Sequence, residues 1–436
     1  MHPVRAILFS LVLVVISALP VLAQSSGFGL TVVVDGDDLI IGEPNNSFRQ
    51  GTVYVYRKSG DTWAEVTRLQ AEESERADGF GAVLALDGDT LFVAQRGGML
   101  HAFERDGANW RSSGTLSVDG LTGPDPGCGQ QYGYCGTDFG IAIAIEGDWM
   151  MVGKPGRAAS AGGRGTPQPA EPGAVYIFRR GGSGRWTLQG SLEPTDGIVA
   201  GDSYGRSIAF SDGRVFVGAP TRAADVVAQP QGGGRRRGRG PSPVPEDTTP
   251  VPEVGRVFEF RYENGNWRET ASLGSENERA ANFGAAISLE GNTAVIGAPG
   301  SGDGHGAAYV YKYDEENGVW EEHSRLAAFS GIRGDRFGTA VAIDGKDVWV
   351  GSPAPRGTDT GMVYLYRDEG GELLGAPRRI FLKETVTRDA FGDRIASSGG
   401  IAAVSATGMD HQAGAVYVYE RNTNGEWEDR GELVSE

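Results

Sequence analysis

Histidine, the side chain best suited to acid–base or metal chemistry near neutral pH, occurs five times: His2, His101, His305, His323 and His411. No two of them stand at metal-ligand spacing, and no His-Glu-x-x-His occurs. The sequence holds no Gly-x-Ser-x-Gly nucleophile elbow and no phosphate-binding glycine loop. Carboxylates are abundant, with 57 Asp and Glu against 40 Lys and Arg. Two of them could carry out glycoside hydrolysis if a fold brought them together from distant parts of the chain. Four aspartates have a fixed context: Asp78, Asp202, Asp335 and Asp389 each precede an aromatic-glycine pair by two residues. Asp335 also completes Arg333-Gly334-Asp335, a tripeptide associated with cell adhesion. The related stretches "RADGFG", "AGDSYG" and "TRDAFG" show that this aspartate is punctuation, a carboxylate capping a tight turn. The tripeptide is therefore read as a by-product of that pattern, since so short a motif often arises by chance.

Two further groups of residues suggest chemistry. Cys128 and Cys135 are the only cysteines and lie in "CGQQYGYC". In an oxidising compartment they are expected to form a disulfide, the alternative being two free thiols. Closing so short a loop would rigidify it by about 2–3 kcal/mol in the chain-entropy picture. Arg235, Arg236, Arg237 and Arg239 form a basic island on an acidic chain. They sit in 221–254, which is rich in Pro and Gly without apolar periodicity and is expected to be disordered. The island is either a contact for anionic glycans or an acidic partner, or a solvated linker within a loop.

The first residues, "MHPVRAILFSLVLVVISALPVLAQSS", have the form of a secretory signal, with cleavage expected after Ala23. An N-terminal anchor is the other reading of this apolar run. Beyond it no stretch reaches membrane-spanning length, so no membrane span is expected after cleavage. The expected mature protein is exported, whether periplasmic, cell-surface or extracellular. The net charge of −17 argues against a nucleic-acid partner, which needs a cationic surface.

The elements that must position these residues repeat seven times. Phe28-Gly29, Phe80-Gly81, Phe139-Gly140, Tyr204-Gly205, Phe283-Gly284, Phe337-Gly338 and Phe391-Gly392 each open a copy. Within a copy, as in "FGTAVAIDGKDVWVGSP", an alternating run leads through an acid-Gly turn into a second apolar run and then Gly-x-Pro. A third run follows, as in "GAVYIFRR" or "GAVYVYER". The fourth run carries Trp63, Trp110, Trp186, Trp267, Trp320 or Trp427. Short β-branched and aromatic runs of period two, bounded by Gly, Asp and Pro, read as strands. A lone four-stranded meander cannot bury both faces, whereas seven arranged radially can. The fold expected is an all-β, seven-bladed β-propeller of four-stranded antiparallel blades over 28–436. The repeated aromatic should pack between blades, and Tyr and Trp should fill the widening space toward the rim. Copies 2 and 7 lack Gly-x-Pro, copy 6 has no tryptophan in its fourth run, and His101 replaces the recurrent tyrosine of the third run.

Phe283-Gly284 with Gly297-Ala298-Pro299, and Tyr204-Gly205 with Gly218-Ala219-Pro220, resemble the FG-GAP repeats of the integrin α-subunit propeller and its bacterial relatives. That resemblance implies ligand binding on the face made by strand 2–3 loops and blade-to-blade connections. Asp78, Asp202, Asp335, Asp389 and the four arginines of the island would lie on this face. It also implies a calcium loop in the first hairpin of a blade, but here those hairpins shrink to turns such as Asp35-Gly36-Asp37 and Glu290-Gly291-Asn292. Two or three polar residues cannot surround a cation that takes six or more oxygens, so neither calcium nor another cofactor is expected. The function expected is a non-catalytic scaffold that binds a protein or a cell-surface glycan, as in adhesion. The alternatives are a carbohydrate-active or phosphoester hydrolase with its site in the central mouth, and a structural module of a larger surface assembly.

Overall fold

A computed structural model describes residues 27–435, except 47, 73–77, 108, 122–137, 157–169, 222–254, 276–280, 329–333, 354–359, 371–376, 383–388 and 409–413. It is a seven-bladed β-propeller in which each blade is a four-stranded antiparallel meander in sequence order. Blade 1 comprises β1 (Thr31–Asp35), β2 (Asp38–Glu43), β3 (Thr52–Ser59) and β4 (Thr62–Leu69). The next blades run over β5–β8 (Val83 to Leu116), β9–β12 (Ala142 to Leu192) and β13–β16 (Ser207 to Leu273). The last three run over β17–β20 (Ala286 to Leu326), β21–β24 (Val341 to Ile380) and β25–β28 (Phe391 to Leu433). A single helical turn, Ser301–Gly304, lies between β18 and β19.

Position in the blade accounts for the character of each run. Second strands are covered on both faces by neighbouring blades, so β2, β6, β22 and β26 are buried at every residue. They accordingly read as continuous apolar runs, not as alternating ones. Fourth strands face solvent at the rim, and β4 is exposed at alternating and adjacent positions along "TWAEV". First strands line the axis.

The apolar core is divided into seven clusters, one between each pair of adjacent blades. The aromatic of each aromatic-glycine pair is almost fully buried in such a cluster. Each ring meets an aromatic of its own third strand edge to face, as with Phe28 on Tyr54 at 5.3 Å and Phe337 on Tyr364 at 5.1 Å. In blade 2 the partner of Phe80 is His101, at 5.1 Å. Several fourth-strand tryptophans pack on the second strand of the preceding blade: Trp186 on Phe92, Trp320 on Phe216 and Trp427 on Trp349. Blade 6 lacks that tryptophan, and its fourth strand is short, Arg378–Ile380.

The ring closes without a shared strand, because blades 1 and 7 are each built from one continuous stretch of chain. Phe28 shares a cluster with Ile401, Ala403, Val416 and Val418. Arg394 Nε donates to Leu30 O at 3.2 Å, and Lys58 pairs with Glu420 at 3.0 Å across the same junction.

Candidate functional site

An up-and-down meander puts its strand 1–2 and 3–4 turns on one face and its strand 2–3 and blade-to-blade connections on the other. The first face is compact. All seven first hairpins close over two residues: 36–37, 88–89, 147–148, 212–213, 291–292, 345–346 and 399–400. Positive φ at the first central residue, 55° at Gly36 and Gly291, lets these turns follow the strand twist. The acid that precedes the turn has a second role, which turn chemistry alone does not suggest. It reaches the next blade and accepts hydrogen bonds from that blade's turn amides. Glu146 takes Asp212 N and Gly213 N at 2.7 and 2.8 Å. Asp87 takes Gly147 N at 2.9 Å, Glu290 takes Gly345 N at 3.1 Å, and Asp344 takes Gly400 N at 2.8 Å. These carboxylates tie the blades together around the ring.

Buried ion pairs reinforce the same side. Asp38, almost fully buried, is held by both nitrogens of the Arg57 fork and by Arg105 of blade 2. Burial alone would raise its pKa, but the two guanidinium groups outweigh that and hold the carboxyl below its ordinary value. Asp347 has the same place in blade 6, accepting from Arg367 at 2.7 Å and from Trp427 Nε1 at 2.9 Å.

The opposite face carries the long connections, such as 155–173 and 220–255. The blade-entry aspartates lie on this side, but most turn inward to main-chain amides. Asp78 Oδ1 accepts from Gly51 N and Phe80 N at 2.8 and 3.1 Å, and Asp389 Oδ1 accepts from Gly361 N and Phe391 N at 2.8 and 3.0 Å. Asp202 accepts from Tyr204 N at 2.9 Å and Val199 N at 3.1 Å. Asp389 is fully buried, and that burial raises its pKa despite the two amide bonds. Asp335 is half-buried, and its carbonyl accepts from Ser352 Oγ at 3.1 Å. Arg333, Arg235, Arg236, Arg237, Arg239, Cys128, Cys135 and His411 lie outside the described residues. In blade 2 the buried His101 Nε2 meets Gln95 Oε1 at 2.7 Å, and Gln95 donates to Asp78 Oδ2 at 3.0 Å. Burial lowers the His101 pKa.

The axis opens on this second face into a cavity of about 740 Å³. Arg96, Arg206, Arg336 and Arg394, from four different blades, line it together with Asp138 and Asp393. The sequence does carry a signal for them, since Arg206, Arg336 and Arg394 all lie within two residues of an aromatic-glycine pair. Nothing in their local pattern shows that the axis gathers them. Among the described residues no group of three or more His, Cys, Asp or Glu could hold a metal ion.

The repeated glycines meet at the blade junctions. A Cβ on Gly297, the first residue of Gly-Ala-Pro in blade 5, would collide with the carbonyl oxygen of Gly338, the glycine of Phe-Gly in blade 6. Gly42, Gly153, Gly218 and Gly351 face Gly81, Gly205, Gly284 and Gly392 in the same way. The two halves of the repeated signature are thus two sides of one contact between blades. The model of the FG-GAP repeat matches residues 267–311 and 320–366, which span this contact between blades 5 and 6. Blades 5 and 6 thus match the FG-GAP repeat, within a seven-bladed β-propeller. Among solved structures, this propeller is similar to the crystal structure of Saccharomyces cerevisiae Sqt1. The TM-score is 0.46 at 9% identity, over 94% of this chain and 86% of that one. A comparison with curated proteins found no match.

Blades 2 and 7 depart from the signature at this same contact. Ala94 stands opposite Gly140, and Ser405 stands opposite Gly29. At the second of these junctions Ser405 Oγ instead accepts from Arg394 N at 2.9 Å.

Proposed function

We propose that this propeller is an exported, non-catalytic interaction scaffold that binds a protein or a cell-surface glycan. Binding would use the face of strand 2–3 and blade-to-blade connections. The observation behind this reading is the asymmetry of the two faces. One is closed by two-residue hairpins whose acids are engaged with the neighbouring blade. The other carries the chain's long connections and the open end of the axis. Loops on a rigid scaffold can vary freely without disturbing the core, which makes them the usual place for recognition. The hydrolase alternative needs a free carboxylate pair at the mouth. There Asp393 pairs with Arg394 at 3.3 Å, and arginines outnumber acids, which favours binding over that chemistry. Among the described residues no helix is long and apolar enough to cross a membrane.

The test is binding of the mature chain to arrays of cell-surface glycans and purified envelope proteins, beside a variant lacking 222–254. A partner lost with the deletion supports the loop face and gives the Arg235–Arg239 island a contact role. Binding unchanged by the deletion assigns recognition to the remaining connections of that face. Binding to nothing on either array refutes the scaffold reading. Mass determination of the exported protein checks cleavage after Ala23, and fractionation checks its location.

A further inference from the structure

The axial cavity combines two chemistries in one open channel. Ile143, Ile208, Ile287, Val341 and Ile395 of five first strands supply apolar lining. Arg96, Arg206, Arg336 and Arg394 line the same channel, with Asp138 and Asp393. Two of the four are already engaged: Arg394 pairs with Asp393 and donates to Leu30 O, and Arg96 donates to Asn45 Oδ1 at 3.4 Å. Arg206 and Arg336 are exposed and have no carboxylate partner among the described residues. On a chain of net charge −17, surplus guanidinium groups around one opening create a local field that favours anions.

The residue before the aromatic adopts the left-handed conformation in six blades, at Gly27, Gly79, Ser203, Asn282, Arg336 and Ala390. The conformation therefore belongs to the blade entry, and Arg336, at a φ of 55°, is the one cationic side chain among the six. Glycine fits such a φ without strain, so Arg336 can be replaced by glycine without cost to the backbone.

We propose that the channel mouth binds a small amphipathic carboxylate, its head on Arg206 and Arg336 and its hydrocarbon body against the ring of isoleucine and valine. The cavity, about 740 Å³, lies within the 300–1,000 Å³ typical of small-molecule sites, and its lining joins apolar side chains to charged and polar groups in similar measure. Guanidinium suits a carboxylate head because its planar fork can donate two parallel hydrogen bonds. The mouth opens on the loop face, but it is lined without the long connection 222–254 tested there, so either reading can fail while the other stands.

The experiment is calorimetric titration of the mature chain with sodium octanoate, sodium acetate, 1-octanol, inorganic phosphate and a short oligoglutamate. Octanoate is expected to bind once per chain, more tightly than acetate and more weakly as salt is raised. Arg206→Ala and Arg336→Gly are each expected to weaken it by about tenfold or more, as loss of a charge-assisted hydrogen bond implies. Arg336→Gly should melt no lower than the parent, so that loss of binding cannot be assigned to unfolding. Arg206→Lys should retain part of the affinity. The proposal is overturned if octanoate does not bind at millimolar concentration, or if neither variant changes its affinity. It is also overturned if octanol or phosphate binds as tightly as octanoate, or if oligoglutamate binds more tightly, which would make the mouth a dock for an acidic polypeptide.

Discussion

Gly297→Ala separates two lines of reasoning by the sign of its effect. Gly297 lies in β18 (Thr293–Ala298), a fully formed strand, and its φ is not in the left-handed region. Judged from its own backbone, alanine there should stabilise the chain by about 0.4–1 kcal/mol, because it restricts the unfolded state. Judged from the blade junction, the added methyl group overlaps the carbonyl oxygen of Gly338, which is main chain and cannot rotate away. The overlap is roughly 1 Å inside contact distance, so blades 5 and 6 must separate locally or the strand must bend. Overpacking on that scale costs about 1–3 kcal/mol. Separation also loosens the packing of Val295, Ala308 and Val310 of blade 5 on Phe337, Val350 and Tyr364 of blade 6, which places the expectation at the upper end, about 3 kcal/mol. With a urea dependence of about 3 kcal/mol per molar, the unfolding midpoint should fall by about 1 M. Gly291→Ala is the internal control. It occupies the open hairpin at a φ of 55° with nothing within 4 Å, so it should cost only the backbone strain, about 1–2 kcal/mol. A Gly297→Ala midpoint equal to or above that of the parent would refute the account of the signature as a contact between blades.

Three further outcomes are expected. Glu146→Ala removes two solvent-accessible amide hydrogen bonds between blades 3 and 4 and should cost about 0.5–1 kcal/mol in urea titrations. Its effect should add to that of Glu290→Ala at the distant junction of blades 5 and 6. Asp38 has its folded pKa lowered below 3.8, so its contribution is present above that value and is lost as pH falls through the folded pKa. Asp38→Asn should therefore be less stable than the parent at pH 7, with the gap closing in strong acid, as followed by pH-dependent melting. His101 has its pKa lowered from 6.5 by burial, so the unfolded chain binds the proton more readily than the folded one. The parent should lose stability as pH drops below about 6.5, and His101→Tyr, which restores the side chain that five of the other blades carry there, should flatten the profile between pH 5 and 7.

The architecture was legible because its cause is local and repeated. Period-two runs, acid-glycine turns and seven aromatic-glycine entries each report on a few neighbouring residues, and repetition makes the signal hard to mistake. Even some departures were visible beforehand: His101 takes the tyrosine's place, against Phe80, and blade 6 has no tryptophan in its fourth run, though the shortness of that fourth strand was not visible. The punctuation role of the blade-entry aspartate was equally readable, since Asp78, Asp202 and Asp389 bond amides within a few residues or across one blade junction. The hairpin acids were only half legible. As turn formers they follow from Asp-Gly and Glu-Gly, but the bonds from Glu146 to Asp212 and Gly213 span more than sixty residues.

By itself, then, the sequence determined the number of blades, the order of strands and the two faces on which turns and long loops emerge. Alternation and turn chemistry specify a meander, and unburied sheet faces require a closed ring. Only the tertiary structure decided which residues of different blades come together. The two glycines of the signature are neighbours because the ring stacks the second strand of one blade against the entry of the next. Arg96, Arg206, Arg336 and Arg394 surround one cavity because the first strands converge on the axis. Those distances depend on closure of the ring, which no window of residues along the chain contains.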